Sequence, residues 1–330
     1  MNVLVYTPDM SASWERCARP WHLIRKKMPE LNITFVTSNS ALPLSAEWDQ
    51  IGFFDVAFLH RPFHPDVAHA VTVMKRMGVK VWLDYDDLLT DVPWHNRTYD
   101  VYSSQGIQNA MYSMLEQADI LTTTTQLLMD RLPSSAPVKV VVPNGHDFNV
   151  FNKPRSFDPN GPKHVVWRGS ETHRGDLRAF RDPIEKAIKD NPDWKFYFVG
   201  MKPDMFTPRD NIKWVRPIER SGFEDGLAQL KPRVMIVPLE DNDFNRCKSN
   251  IAAQHAVYAG AVPIVPDWQD WHLPWSFHYD VPESFGLALK SAMDINESDT
   301  PKGDMNINWL EYQSLEKMNE KRIEIIRGLM

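Results

Sequence analysis

Cysteine is nearly missing: Cys17 and Cys247 are the only two in 330 residues. Two thiols cannot build a disulfide framework, and reduced thiols in a cytoplasm are the simpler expectation. Glycine is scarce as well, at 14 residues, and the G-x-G-x-x-G fingerprint of dinucleotide-binding folds occurs nowhere. Neither a G-x-S-x-G elbow nor a Walker lysine motif is present. No apolar run approaches the length that a membrane-spanning helix needs. The chain opens on a strand-like run, Asn2–Tyr6, without the basic segment and apolar core of a secretory signal. Positive charge is not in excess: 37 Lys+Arg stand against 43 Asp+Glu, a net charge of −6. Neither half is basic, which speaks against a dedicated nucleic-acid module.

What remains is globular. Hydrophobic residues make up 43% and charged residues 24%, near the averages of folded domains, and the length suits about two domains. Tryptophan is abundant, at 12 residues; most are expected in cores, with stacking on sugars or bases as the alternative. β-Branched runs at Val3–Tyr6, Ile33–Thr37, Val56–Leu59, Val79–Leu83, Ile120–Thr123 and Val138–Val142 read as buried strands. Helical patterns at Trp14–Met28, Pro65–Met77 and Gly106–Ala118 lie between them. The rhythm pauses at Phe148–Lys163, which holds three prolines and reads as a linker. It restarts with strands at His164–Trp167, Lys195–Val199, Ile212–Val215, Val234–Val237 and Val262–Val265, and helices at Leu177–Lys189, Gly222–Leu230 and Ser249–Ala259. The expected organisation is residues 1–150, a linker at 151–163, a second α/β unit at 164–306, and a C-terminal helix at 307–330 packing on a domain surface.

Alternating strands and helices predict two open, mostly parallel α/β sheets, whose ligands bind beyond the strand C-termini. Three strand-to-helix turns carry candidate chemistry. In Trp167-Arg168-Gly169-Ser170-Glu171-Thr172-His173-Arg174-Gly175, Gly169 lets the backbone approach a ligand, and Arg168, Ser170, His173 and Arg174 supply donors at a helix start. In Asn245-Arg246-Cys247-Lys248-Ser249-Asn250, a cation and free amides again open a helix. In Asp84-Tyr85-Asp86-Asp87, the carboxylates suit a hard cation, an acceptor hydroxyl to be oriented or deprotonated, or a turn cap. The first loop adds Trp14, Arg16 and Arg19, and His60-Arg61 follows the third strand. Aromatic residues among arginines also suit nucleic acid. No His/Cys cluster has zinc spacing, so no metal ligand is assigned.

Pro143-Asn144-Gly145-His146-Asp147, Arg174-Gly175, Asp119 within Ala118–Thr122, and the segment Asn245–Val265 with Lys248-Ser249 and Gly260–Val265 together resemble family-4-type glycosyltransferases. The resemblance implies the GT-B architecture: two Rossmann-like domains facing a cleft that holds a nucleotide-diphosphate sugar as co-substrate, with no cofactor and no metal. It implies that Arg174 and Lys248 hold the diphosphate with amides near Ser249 and Asn250. It also places Gly200 and Arg216 near the base. Many such enzymes carry two glutamates with seven residues between them; here those positions are Cys247 and His255.

The sequence thus predicts a cytoplasmic, metal-independent, retaining glycosyltransferase. Arg168, Gly169, Ser170, His173, Arg174, Gly200, Arg216, Asn245, Lys248, Ser249 and Asn250 bind the donor. Trp14, Arg16, Arg19, His60 and Arg61 bind a saccharide acceptor. Asp84, Asp86, Arg174 and Lys248 carry catalysis. Three rivals stand beside it. One transfers sugar to hydroxymethylated bases of DNA; another binds a nucleotide or glycan without turnover; the third, less favoured, is an epimerase of the same architecture.

Overall fold

A computed structural model describes residues 1–8, 13–37, 52–148, 153–300 and 304–330. Ser11 and Ala12 of the first loop, 149–152 and 301–303 lie outside the described residues. Strands β1 (Asn2–Thr7), β2 (Asn32–Thr37), β3 (Val56–His60), β4 (Lys80–Tyr85), β5 (Ile120–Thr123) and β6 (Val138–Val141) form one sheet. Its order is β2-β1-β3-β4-β5-β6. Strands β7 (His164–Gly169), β8 (Lys195–Gly200), β9 (Ile212–Val215), β10 (Val234–Ile236), β11 (Val262–Pro266) and β12 (Phe277–Tyr279) form a second, ordered β12-β11-β10-β7-β8-β9. Every pairing is parallel, as buried β-branched runs joined by helices require. In the second sheet the strand order reverses between β10 and β7, and a crevice opens at such a reversal.

Each sheet is covered on both faces. One face of the first sheet holds Trp21, Phe58 and Trp82 packed edge to face, with ring centres 5.0–5.8 Å apart. Trp21, Trp82, Trp167, Trp194 and Trp271 are buried, whereas Trp94 and Trp214 are exposed. Two segments from late in the chain complete the first sheet's cores. Phe244 and Cys247 join the cluster around Leu83 and Leu121. Ile323 and Ile326, on the C-terminal helix Leu315–Arg327, join the cluster around Trp21. These contacts fix the two sheets against each other.

Some elements differ from the sequence expectation. Trp14–Met28 is not one helix: Trp14–Ala18 is a π-helical turn, with Ala18 N donating to Ser13 O at 3.1 Å, and Arg19–Lys27 is the α-helix. Pro20 occupies the first turn of that helix, where its missing N–H costs nothing. Leu177–Lys189 divides at Phe180 into Arg174–Ala179 and Arg181–Asp190. The tail is likewise two helices, Met305–Tyr312 and Leu315–Arg327. At their junction His146 N donates to Gln313 O (2.9 Å) and Leu315 N to His146 O (2.7 Å). A side chain on Gly145 would meet the Leu315 backbone at 2.6 Å, so the Pro143–Asp147 turn needs glycine to receive the returning chain. Strand β12 and helix Pro282–Met293 extend the second unit beyond the elements predicted for it. No helix of the described residues is long and apolar enough to cross a membrane.

Candidate active site

The crevice predicted by topology is present. A cavity of about 240 Å³ lies between the C-terminal ends of the two sheets. Its floor is Trp167 and Arg168 at the end of β7 and Met235–Leu239 at the end of β10. Ser249, Ile251 and Ala252 bring the start of helix Ile251–Tyr258 to one wall. Arg16, Arg61, Asp86, Asp87 and Asn144 form the wall contributed by the first sheet. Asn144 ties the walls together: its Nδ2 donates to Ser249 Oγ at 2.8 Å, and its carbonyl accepts from Gln254 Nε2 at 3.0 Å.

The cations of the first wall are already matched. Arg16 donates to both oxygens of Asp84, at 2.8 and 2.7 Å, and to the carbonyl of Val142. Asp84 is fully buried and also accepts from Thr122 Oγ1 (2.5 Å) and lies 3.1 Å from His60 Nδ1. Burial opposes its charge, but the Arg16 guanidinium and His60 outweigh that and hold the carboxyl well below the usual range. Arg61 donates to Asp86 and, at 2.6 Å, to Asp87. Its backbone sits at φ +46°, a sparsely populated region for a residue with a Cβ, and such residues cluster at functional sites. Lys248 Nζ stands 3.3 Å from Asp87 across the cleft. Burial works against the Asp87 charge; Lys248 and Arg61 overcome it and lower its pKa.

The second wall is different. Arg168 Nε and Nη2 are buried and have no hydrogen-bond partner among the described residues. Burial first, then neighbouring Arg220, pull its pKa down to about 10, against the pull of Glu15 and Glu224. Arg220 lies over the Phe223 ring at 5.4 Å and has no ion pair among the described residues. Beyond Arg168 is a deep acidic pocket. Arg19 Nη1 donates to Glu15 at 2.9 Å and to Glu224 at 3.4 Å. Burial and the Glu15 carboxylate push Glu224 up to about 7, while burial and Arg168 drive the pKa of the fully buried His255 well below its ordinary value.

Of the residues singled out in the sequence, Arg16, Arg61, Asp86, Arg168, His173, Lys248 and Ser249 line this cleft. The others do not. Asp84 and His60 are buried beneath the wall as the anchor of Arg16. Arg174 points away: it pairs with Glu171 (2.9 Å) and Asp204 (2.7 Å) beside a separate pocket. Gly169 makes room for the Trp167 ring, 2.6 Å from where a Cβ would stand, rather than for a ligand. Ser170 is exposed and bonded to Thr172 at 2.7 Å. Gly200 (φ +99°) turns the chain after β8, and Arg216 is exposed beyond β9. Asn245 is buried and donates to Asp176 at 2.6 Å; Asn250 donates to Asp270 O at 2.8 Å. Arg19 is buried, and half-buried Trp14 stacks under it at 5.6 Å. Arg19 and Trp14 therefore pack inwards.

Sequence reasoning missed Glu15, Asn144, Thr172, Arg220, His255 and Trp271 as lining residues. Three of them had a signal: Asn144 and Thr172 lie inside quoted motifs, and His255 occupies the position where a second glutamate was looked for.

No family model and no curated protein matches the chain. Solved structures do. HepE from Anabaena in complex with UDP-glucose is 11% identical over 99% of this chain and 100% of that one, with a TM-score of 0.67. The pneumococcal O-GlcNAc transferase GtfA, in complex with UDP and GlcNAc, is 11% identical over 87% of this chain and 59% of that one, at 0.57. UDP-GlcNAc 2-epimerase from Neisseria meningitidis, bound to UDP-GlcNAc, is 11% identical over 99% and 100%, at 0.55. With its two parallel six-stranded sheets, the chain has the α/β architecture of GT-B glycosyltransferases.

Proposed function

We propose that the chain is a glycosyltransferase that binds a nucleotide-diphosphate sugar in the cleft and transfers the sugar to a hydroxyl of a saccharide. The observation that carries this reading is Arg168. A guanidinium with two buried, unpartnered nitrogens is costly unless an anion completes it. It stands at the end of β7, beside the strand-order reversal, where α/β sheets bind their ligands. Lys248 and the start of helix Ile251–Tyr258 add charge and amides for a diphosphate. The same groups would stabilise the departing diphosphate without a metal.

The carboxylates favour retention. Each acidic side chain lining the cleft is engaged by a guanidinium: Glu15 by Arg19, and Asp86 and Asp87 by Arg61. With these carboxylates engaged, the leaving phosphate oxygen takes the acceptor proton on the face it vacates, and the sugar keeps its anomeric configuration. Asp86 then positions the wall through Arg61 rather than acting as a base. The acceptor enters from the neighbouring pocket of about 470 Å³, whose lining includes exposed Trp94, Arg97 and Arg178. Thermal unfolding against UDP-, GDP-, ADP-, CDP- and dTDP-sugars tests the proposal. A ligand at 100 times its Kd adds about 2.7 kcal/mol, and the account expects one nucleotide class to raise the Tm. No shift with any of them would contradict it.

A further inference from the structure

Away from the cleft, the β11–β12 edge brings together three side chains with metal-ligand chemistry. Asp267 follows β11 directly, and its N–H donates to Tyr279 O at 2.9 Å. His278 lies within β12, opposite Val265. The sheet therefore holds two of the three. The third, His272, follows the short turn Gln269–Trp271, which buried Trp271 anchors. His272 Nε2 lies 2.6 Å from Asp267 Oδ1, and His278 Nδ1 lies 3.8 Å from the same oxygen. All three ligand atoms fall within 4.8 Å of one another. The two imidazoles stack with centres 4.8 Å apart. The other nitrogen of His278, Nε2, is 2.8 Å from Ser276 Oγ, which orients the ring and turns Nδ1 towards Asp267.

We propose that Asp267, His272 and His278 form a binding site for a divalent late transition-metal ion of the zinc type. Two imidazoles and one carboxylate are a ligand set such ions favour, with a further position left for water. Magnesium and calcium prefer all-oxygen shells. Metal–ligand bonds of about 2.0–2.2 Å in a tetrahedral shell put ligand atoms roughly 3.3–3.5 Å apart; the present separations of 2.6 and 3.8 Å bracket that span. Ser276 supplies the hydrogen bond that metal-bound histidines commonly make through their second nitrogen.

The site would also reach the cleft. Its loop carries Asp270, whose carbonyl holds Asn250 just before helix Ile251–Tyr258, and Trp271, which lines the cavity. Filling the site would pin that wall.

Zinc titration of the chelator-treated full chain by calorimetry, near neutral pH, tests the proposal. The expected result is one equivalent bound, with affinity weakened about tenfold or more in both His272→Ala and Asp267→Asn. Zinc should raise the Tm of the wild type by a few degrees and leave both variants unmoved. His272 and Asp267 are about half exposed, so the metal-free variants should melt like the wild type. Binding of zinc equally by wild type and variants would overturn the proposal, as would no binding at all.

Discussion

The two walls of the cleft are both rich in cations, yet they treat them differently. On the first wall Arg16 is locked on Asp84, and Arg61 on Asp86 and Asp87. On the second, Arg168 keeps two buried nitrogens without partners. The difference separates architecture from recognition. A matched buried pair has its electrostatics satisfied within the fold, so a ligand gains little from it. An unmatched buried guanidinium keeps its hydrogen-bonding capacity for something that arrives. The first wall is therefore read as a frame and the second as the receptor.

Breaking the frame should have the largest effect. Asp84→Ala leaves Arg16 buried and uncompensated, which should cost about 3–5 kcal/mol of stability. Denaturant unfolding measures it, and an unchanged midpoint would mean that Arg16 rearranges freely. Removing the receptor comes next. Arg168→Ala should weaken nucleotide-diphosphate binding by the worth of a charged hydrogen bond, about 1.5–3 kcal/mol or ten- to a hundredfold in Kd. It should leave the unliganded fold as stable as before or more so. Arg168→Lys should restore little, since an ammonium lacks the planar fork.

The acidic pocket behind Arg168 sharpens the contrast through pH. Burial and the Glu15 carboxylate raise the Glu224 pKa from the ordinary 4.5 to about 7 in the folded chain. The native state therefore holds this proton more tightly than the unfolded state does. Its contribution to stability is present below the unfolded value and is lost as pH rises through 7. Glu224→Gln should flatten that slope, as thermal melts at a series of pH values would register. Arg174→Ala should do least. Its side chain is about one-third exposed and spends its donors on Glu171 and Asp204. Exposed pairs are worth little, so nucleotide binding should stay within about twofold of wild type.

Most of the framework was legible in the sequence. β1 to β11 follow from β-branched runs: the central strands, buried on both faces, need continuous apolar residues, while β2, β6 and β9, expected to be buried, are sheet-edge strands and largely exposed or half-exposed. β12 is only Phe277–Tyr279, too short for periodicity to register. The Trp167–Gly175 motif holds both arginines expected at the donor, and of the two Arg168 lines the cleft whereas Arg174, expected to hold the diphosphate, lines the separate pocket. What distinguishes them is Asp204, 30 residues further on, a contact that only tertiary structure supplies. The Asp84 cluster was misread for the same reason. Its partners Arg16, His60 and Thr122 arrive from three other segments, and together they turn a candidate catalytic carboxylate into a buried anchor.

The measurement that bears most directly on the account is calorimetric titration of UDP and UDP-glucose into wild type, Arg168→Ala and Arg174→Ala. HepE, a structure of the same architecture, was solved with UDP-glucose, which makes these the first probes. The account predicts that Arg168→Ala loses binding and Arg174→Ala keeps it. Binding that survives Arg168→Ala and fails in Arg174→Ala would contradict it, and would move the receptor to the pocket beside Trp94.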